Sequence, residues 1–279
     1  MGTDGDGAQG PDPIGAARGA AGAAGERLGD ARAEAGERLG AARDAAGRQV
    51  AAARETAAMA AHAAAHKLSR KPRLRGVSHQ WAFFLSLGAG LALVLAADTT
   101  EAFIAMSVYA FSLSAMLGTS ALYHRVTWTP ERRRWMRRLD HTMIFVFIAG
   151  TYTPFALLVM HGTLADLVLI VVWASAAGGV ILNLLWESAP KWFSSVIYVS
   201  TGWVAIVTLP QLWEETGPIG VGLLALGGAL YTAGAVVYAR RRPDPRPEVF
   251  GYHEIFHVLV IAAAAVQYAA VAIYALPAG

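Results

Sequence analysis

Residues 252–276 read YHEIFHVLVIAAAAVQYAAVAIYAL, a long apolar stretch that begins with two histidines. About 20 predominantly apolar residues allow an α-helix to cross the hydrocarbon core of a bilayer. His253 and His257 are four residues apart, so on a helix their side chains lie on one face, a turn apart. Polar groups are costly inside a membrane unless they are paired or bind an ion. The stretch therefore predicts a membrane-spanning helix with a candidate metal-binding pair at its start.

The remainder of the chain repeats this apolar pattern. Hydrophobic residues make up 55% of the chain and charged residues only 15%. From residue 81 onward, seven apolar runs are long enough to cross a bilayer as helices, and nothing in the pattern indicates strands. We therefore predict an all-α membrane protein, a bundle of seven transmembrane helices. The runs are approximately 81–97, 102–123, 139–160, 164–186, 192–212, 219–238 and 252–276.

The positions of Lys and Arg predict the orientation of this bundle, because cytoplasmic links are enriched in these residues. Lys and Arg occur before the first run and in every second link after it, whereas the alternate links contain none. The N-terminus is thus predicted to be cytoplasmic and the C-terminus outside, in the plasma membrane. This topology brings the end of the second run, at His124, to the cytoplasmic face. Asp140 and His253, which begin the third and seventh runs, lie at the same face.

Residues 1–75 form a cytoplasmic tail rich in Ala, Gly and Arg, and residues 76–279 form the membrane domain. The tail repeats every 11 residues, with GERLG at 25–29 and 36–40 and GRQVA at 47–51. That period suits a weakly amphipathic helix on the membrane surface or a right-handed coil. A solvated tether, partly helical or disordered, is the preferred interpretation because its apolar face is almost entirely Ala and each repeat contains Gly. Neither a protein partner for the tail nor a nucleic-acid partner is predicted.

The absence of cysteine restricts any metal site to histidine, carboxylate and water ligands. Three imidazoles from His124, His253 and His257, together with a water molecule, suit zinc with an open fourth position. Zinc in that arrangement activates water and polarises a carbonyl group, which makes hydrolysis the natural chemistry. Asp140 is placed to hold the water or to act as a general base. Ser120, one turn before His124, is placed to support the water or a developing oxyanion.

Taken one at a time, these residues have simpler interpretations. His124 alone reads as an interfacial residue, Asp140 as the partner of a neighbouring arginine, and His253 with His257 as an interfacial pair. The metal site is favoured because independent helix ends bring these groups to the same side of the membrane. His79 is expected to lie at the membrane interface.

Three motifs in this chain resemble those of the hemolysin III family, which is grouped with the progestin and adipoQ receptors. They are SALYH at 120–124, LDH at 139–141 leading to IAGTYTP at 148–154, and HEIFHVLV at 253–260. The resemblance covers about residues 76–276. It implies a seven-helix bundle with zinc near the cytoplasmic face, bound by His124, His253 and His257. It further implies that Asp140 contacts the water on zinc and that Ser120 completes the first motif.

The resemblance also implies a ceramidase-like hydrolase of a lipid amide or ester, because receptor members of the wider family are associated with ceramidase activity. Membrane lipids, including a lipid substrate, are the expected partners. Three alternatives stay open: a lytic or channel-forming protein, a lipid sensor with structural zinc, and an intramembrane zinc protease. The protease would use the string His253-Glu254-x-x-His257, with Glu254 as general base. Hydrolysis based on Asp140 is preferred, because the resemblance leaves Glu254 without a role at the metal.

Overall fold

The computed structural model describes residues 13–69, 72–185 and 191–279. This part of the chain is helical almost throughout and contains no β-strand, only one isolated bridge between Arg246 and Phe250. The predicted all-α membrane fold is confirmed. The first 12 residues of the tail and Trp186, at the end of the fourth apolar run, lie outside the described residues.

Eight α-helices make up the described part of the chain. Short non-α turns extend two of them: a 3₁₀ segment, Trp203–Thr208, follows α6, and a π-helical turn, Val271–Ala275, follows α8. The helices are α1 (Pro13–Ser69), α2 (Val77–Leu95), α3 (Thr100–Arg125), α4 (Pro130–Leu158), α5 (Gly162–Leu185), α6 (Lys191–Gly202), α7 (Leu209–Arg240) and α8 (Tyr252–Ala270).

Six described segments are long and apolar enough to cross a membrane. Four of them are α2, α3, α4 and α5, and the last is α8 with its extension. The fifth and sixth predicted runs fall together in a single 45-residue segment, Val196–Arg240. That segment is not one regular helix, because Gly217 has φ 67° and ψ −172° and is followed by Pro218. Only glycine adopts this backbone conformation readily.

Helix α1 and residues 72–279 form two separate compact units. Helix α1 contains 57 residues and carries the 11-residue repeat along its length. All of its described side chains are exposed, so its stability comes from its own sequence. Alanine, which dominates the helix, is the strongest helix former, and the repeated glycines oppose it.

Helices α3 and α4 contribute most of the buried core of the membrane unit. Tyr109 and Phe145 are among its largest fully buried side chains. Glycines let the helices approach closely: a Cβ atom on Gly150 would lie 2.0 Å from the Ser112 hydroxyl oxygen, and one on Gly179 would lie 2.5 Å from the Phe145 ring. The first contact joins α4 to α3 and the second joins α5 to α4.

Candidate metal centre

Three histidines from two helices meet at one end of the membrane unit. His124 is in the last turn of α3, and His253 and His257 are in the first two turns of α8. Nε2 of His253 lies 3.1 Å from Nε2 of His124. One ring nitrogen from each of the three residues lies within 4.8 Å of the other two. His124 and His257 are buried, and His253 is partly buried. Residues far apart in the sequence thus form one compact donor set.

The donor set fits a zinc ion. Zinc binds histidine nitrogens at 2.0–2.1 Å in a tetrahedral arrangement, which sets ligand nitrogens about 3.3 Å apart. The 3.1 Å separation of the His124 and His253 nitrogens is close to that value. Nδ1 of His257 is buried and has no hydrogen-bond partner among the described residues. Buried polar atoms are rarely left without a partner, and a bound ion would give the buried His257 ring such a partner.

Ser120 and Asp140 are the other two residues of the predicted site. Ser120 is buried on α3, one turn before His124, and its side chain interacts with the carboxyl group of Asp140 on α4. Both residues line the same cavity as His253 and His257. The closely grouped metal-ligand atoms are all from histidines, and Asp140 is not one of them. This arrangement suits a carboxylate that handles protons near a metal.

The cavity has a volume of about 280 Å³ and extends from the histidines into the bundle. Tyr238 on α7 lines its polar end, with its ring centroid 5.6 Å from that of His253. Further along, the walls are mainly apolar and come from α4, α6, α7 and α8. The far end includes Phe155, Met160 and Leu212. A site with polar groups at one end of a long apolar space suits an amphipathic ligand.

A family model described as "Haemolysin-III related" matches residues 68–268. "Hemolysin-3" of Bacillus cereus is 31% identical over 204 residues, which is 72% of this chain and 90% of that protein.

The chain belongs to the hemolysin III family.

More distant relatives of this hemolysin III protein place it in the progestin and adipoQ receptor superfamily. The "Monocyte to macrophage differentiation factor" of Homo sapiens is 29% identical over 168 residues, covering 59% of this chain and 67% of that protein. The "Adiponectin receptor protein" of Drosophila melanogaster is 29% identical over 180 residues, covering 57% of this chain and 40% of that protein. The family predicted from the three motifs is therefore confirmed.

Glu254 of this hemolysin III protein lies outside the group of closely spaced metal-ligand atoms. Its Oε1 atom accepts a hydrogen bond from Nε of Arg75 at 2.5 Å, and its Oε2 atom accepts one from the backbone N–H of Gly251 at 2.8 Å. The second bond caps the start of α8. Because both carboxylate oxygens are engaged and the side chain is buried, a general-base role for Glu254 is disfavoured. The contacts thus oppose the protease interpretation.

His79 is the site residue that the sequence interpretation missed. The sequence interpretation placed His79 at the membrane interface and gave it no part in the site, but only 2% of the residue is exposed. Its ring stacks on that of His257, with 3.8 Å between centroids and 5° between planes. The distribution of Lys and Arg predicts that α2 starts on the side of the bundle where α3 ends. His79, near the start of α2, was therefore a candidate neighbour of His124.

Proposed function

We propose that this hemolysin III protein hydrolyses an amide or ester bond of a membrane lipid, with a zinc ion bound by His124, His253 and His257. One observation carries the proposal. His124, His253 and His257 form one donor set, and His253, His257 and Asp140 line the same largely apolar cavity. Zinc held there would activate a water molecule and polarise the scissile carbonyl group.

The protein's own residues supply the remaining functions. Asp140 is placed to take a proton from the attacking water and to pass it to the leaving nitrogen or oxygen. The Ser120 hydroxyl interacts with Asp140 and orients its carboxyl group. The apolar walls accommodate the hydrocarbon part of the substrate and keep bulk water away from the reacting groups. Lipid is the substrate class because the cavity lies within the membrane-spanning bundle and is apolar along most of its length.

Seven spans belong to the same proposal. As a straight helix, the 45 residues of Val196–Arg240 would be about 67 Å long, more than twice the roughly 30 Å hydrocarbon core. The break at Gly217 divides this segment, and the neighbouring Glu214 and Glu215 are polar residues suited to a link outside the bilayer. Two spans therefore fit this segment better than one.

The basic links support an orientation with the N-terminus and the metal centre on the cytoplasmic side of the plasma membrane. Arg75 and Arg125 lie at the histidine end of the bundle, where Arg75 bonds to Glu254 and Arg125 donates to Gln80 at 3.0 Å. Glu215 and His161, which are 3.1 Å apart, lie in two of the links without Lys or Arg. Lys and Arg are thus associated with one end of the bundle.

Zinc content is the first test. We expect near one zinc per chain in detergent-purified wild-type protein, and loss of zinc in the His253→Ala/His257→Ala variant. His161→Ala is the matched control, because it removes an exposed histidine outside the candidate centre. Mass spectrometry of the metal content, with circular dichroism to confirm folding, measures both. A folded wild type without zinc would refute the proposed site. If zinc is present, the zinc-loaded protein is tested for turnover of lipid amides and esters.

Membrane lysis is a second candidate, because the relative from Bacillus cereus is named "Hemolysin-3". The apolar character of the cavity opposes a water-filled pore, whose lining is usually polar. Dye release from liposomes that contain purified protein distinguishes the two candidates. Release that is equal in wild type and in His124→Ala would favour lysis, since a pore need not contain the metal centre.

A further inference from the structure

Residues 73–79, which lead into α2, contact the helices that carry the histidine cluster at three points. Arg75 forms an ion pair with Glu254 on α8. Gly76 packs against His124 so closely that a Cβ atom on Gly76 would lie 2.6 Å from the Cβ atom of His124. His79 stacks on His257. Residues 73–79 thus touch both helices that carry the histidine cluster.

The backbone fixes this approach. The N–H groups of Arg73 and Leu74 donate to the carbonyl oxygens of Glu248 and Val249, at 3.0 and 3.2 Å, in the link before α8. Gly76 has a φ angle of 78°, in the left-handed region that favours glycine. The chain turns there and enters α2 with His79 directed at the histidine cluster.

The ring of His257 contacts the rings of other histidines. Its centroid lies 3.8 Å from that of the His79 ring, and the two ring planes are nearly parallel. The centroid of the His253 ring lies 4.5 Å away, with an angle of 55° between the ring planes. His79 itself is buried and has no side-chain hydrogen-bond partner among the described residues. Besides an interaction with the backbone of His257, stacking on the ring of that residue is the contact through which His79 acts on its surroundings.

His79 is poorly placed to bind the same ion as His257. The lone pair of an imidazole nitrogen lies in the plane of the ring. The two stacked rings lie in separate, nearly parallel planes, and these planes do not meet at one ion. The two residues therefore cannot both direct a nitrogen lone pair at the same ion. Consistent with this, His79 is outside the group of histidine nitrogens that lie within 4.8 Å of one another.

We propose that His79 is a positioning residue of the metal centre, whose stacked ring fixes the orientation of His257. The proposal rests on the proposed zinc site and deepens it. Residues that orient a metal ligand usually change metal affinity by about 10–100-fold when they are replaced. His79 differs from the usual kind of orienting residue, which donates or accepts a hydrogen bond, because it acts through its ring face.

Two replacements of His79 separate stacking from ligation. His79→Phe keeps an aromatic ring but no nitrogen, and His79→Ala removes the ring. The control Arg73→Gln changes an exposed side chain of the same segment. Zinc affinity is measured on detergent-purified, full-length protein by competition with a chromophoric chelator, and the ligand field is monitored through the visible spectrum of the cobalt-substituted protein. Circular dichroism confirms that each variant is folded.

We expect His79→Ala to weaken zinc binding by about 10–100-fold and to alter the cobalt spectrum. His79→Phe should restore most of the affinity and the wild-type spectrum, and Arg73→Gln should match wild type. If His79→Phe binds zinc as weakly as His79→Ala, the nitrogen of His79 matters and the proposal is wrong. Unchanged zinc affinity in His79→Ala would also overturn it.

A metal-free measurement separates this proposal from the proposed function. In protein labelled with carbon-13 in its histidine rings, the resonance of the His257 ring is assigned by its loss in His257→Gln. The face of a stacked ring shifts that resonance, so His79→Ala should move it and Arg73→Gln should not. If the wild type binds no zinc, the zinc-site proposal fails, and this shift still decides whether His79 contacts and orients His257. An unmoved resonance in His79→Ala would refute the contact.

Discussion

Asp140 carries the acid–base step of the proposed hydrolysis. Asp140→Asn keeps the size of the side chain and its contact with Ser120 but removes the proton acceptor. We expect turnover of a lipid amide or ester to fall by about 10²–10⁴-fold, the usual contribution of a general base, while zinc content stays at the wild-type value. Initial rates and zinc per chain, measured on the same purified samples, test this. Full activity in Asp140→Asn would exclude Asp140 as the base.

Gly76 combines a left-handed backbone conformation with close packing against His124. Gly76→Ala must place a methyl group against His124 and hold a positive φ angle, so we expect it to reduce the unfolding free energy by about 1–3 kcal/mol. Zinc content should fall as well, because His124 would shift. Gly88→Ala is the matched control, since a Cβ atom there meets nothing within 4 Å. Thermal unfolding in detergent compares the two, and equal stability would show that the segment can move aside.

The residues that sequence reasoning found and missed differ in a physical way. The distribution of Lys and Arg predicts which helix ends share a face of the membrane. It therefore grouped His124, Asp140, His253 and His257 before the structure was considered. The charge distribution places His79 at the same end of the bundle, but its stacking depends on how closely α2 approaches α8, which the spacing of residues along one helix does not reveal. The partner of Glu254 was missed for the same reason, since Arg75 belongs to a link whose path depends on tertiary contacts.

At the level of elements, Glu254 caps the helix that carries two of the histidines. Glu254→Gln can still accept the hydrogen bond from the Gly251 N–H group but loses the charge that pairs with Arg75. We expect the unfolding free energy to fall by about 1–3 kcal/mol, and more in Glu254→Ala, which also loses the cap. Thermal unfolding and turnover per zinc-loaded chain provide the measurements. Complete loss of turnover in zinc-loaded Glu254→Gln would instead support Glu254 as a general base.

The number of membrane spans depends on whether residues 196–240, which contain the break at Gly217, cross the membrane once or twice. The chain contains no cysteine, so single cysteines can be introduced at chosen links and labelled with a membrane-impermeant thiol reagent. With seven spans, we expect Glu214→Cys to react in intact cells, whereas Glu131→Cys, in a basic region, should react only after the cells are opened. If residues 196–240 formed a single span, Glu214→Cys would lie within the bilayer and would react in neither case.

The elements themselves were predictable to different degrees. Apolar runs located α2 to α5 and α8, because a span needs about 20 apolar residues whatever its neighbours are. The helix of the tail was predicted less definitely, since its repeat combines strong helix formers with glycine and its described side chains are exposed. The 3₁₀ segment at Trp203–Thr208 has no comparable signal in the sequence.

For the whole molecule, a bound ion would join helices that the sequence separates. His124 ends α3 and His257 lies in α8, so zinc shared by them would bind the folded bundle and not the unfolded chain. Such a ligand stabilises the fold by about 2.7 kcal/mol at a concentration 100 times its dissociation constant. The stability of the membrane domain should therefore depend on free zinc.

We accordingly expect a chelator to lower the unfolding temperature of the wild-type protein and added zinc to restore it. Magnesium and calcium should not restore it, because these ions prefer oxygen ligands and the site offers imidazoles. The His253→Ala/His257→Ala variant should unfold at one temperature with or without zinc, which controls for effects of the chelator on detergent or lipid. Thermal unfolding followed by circular dichroism measures all of these. If the unfolding temperature of the wild type does not change with zinc, the three histidines do not link α3 to α8 through a metal.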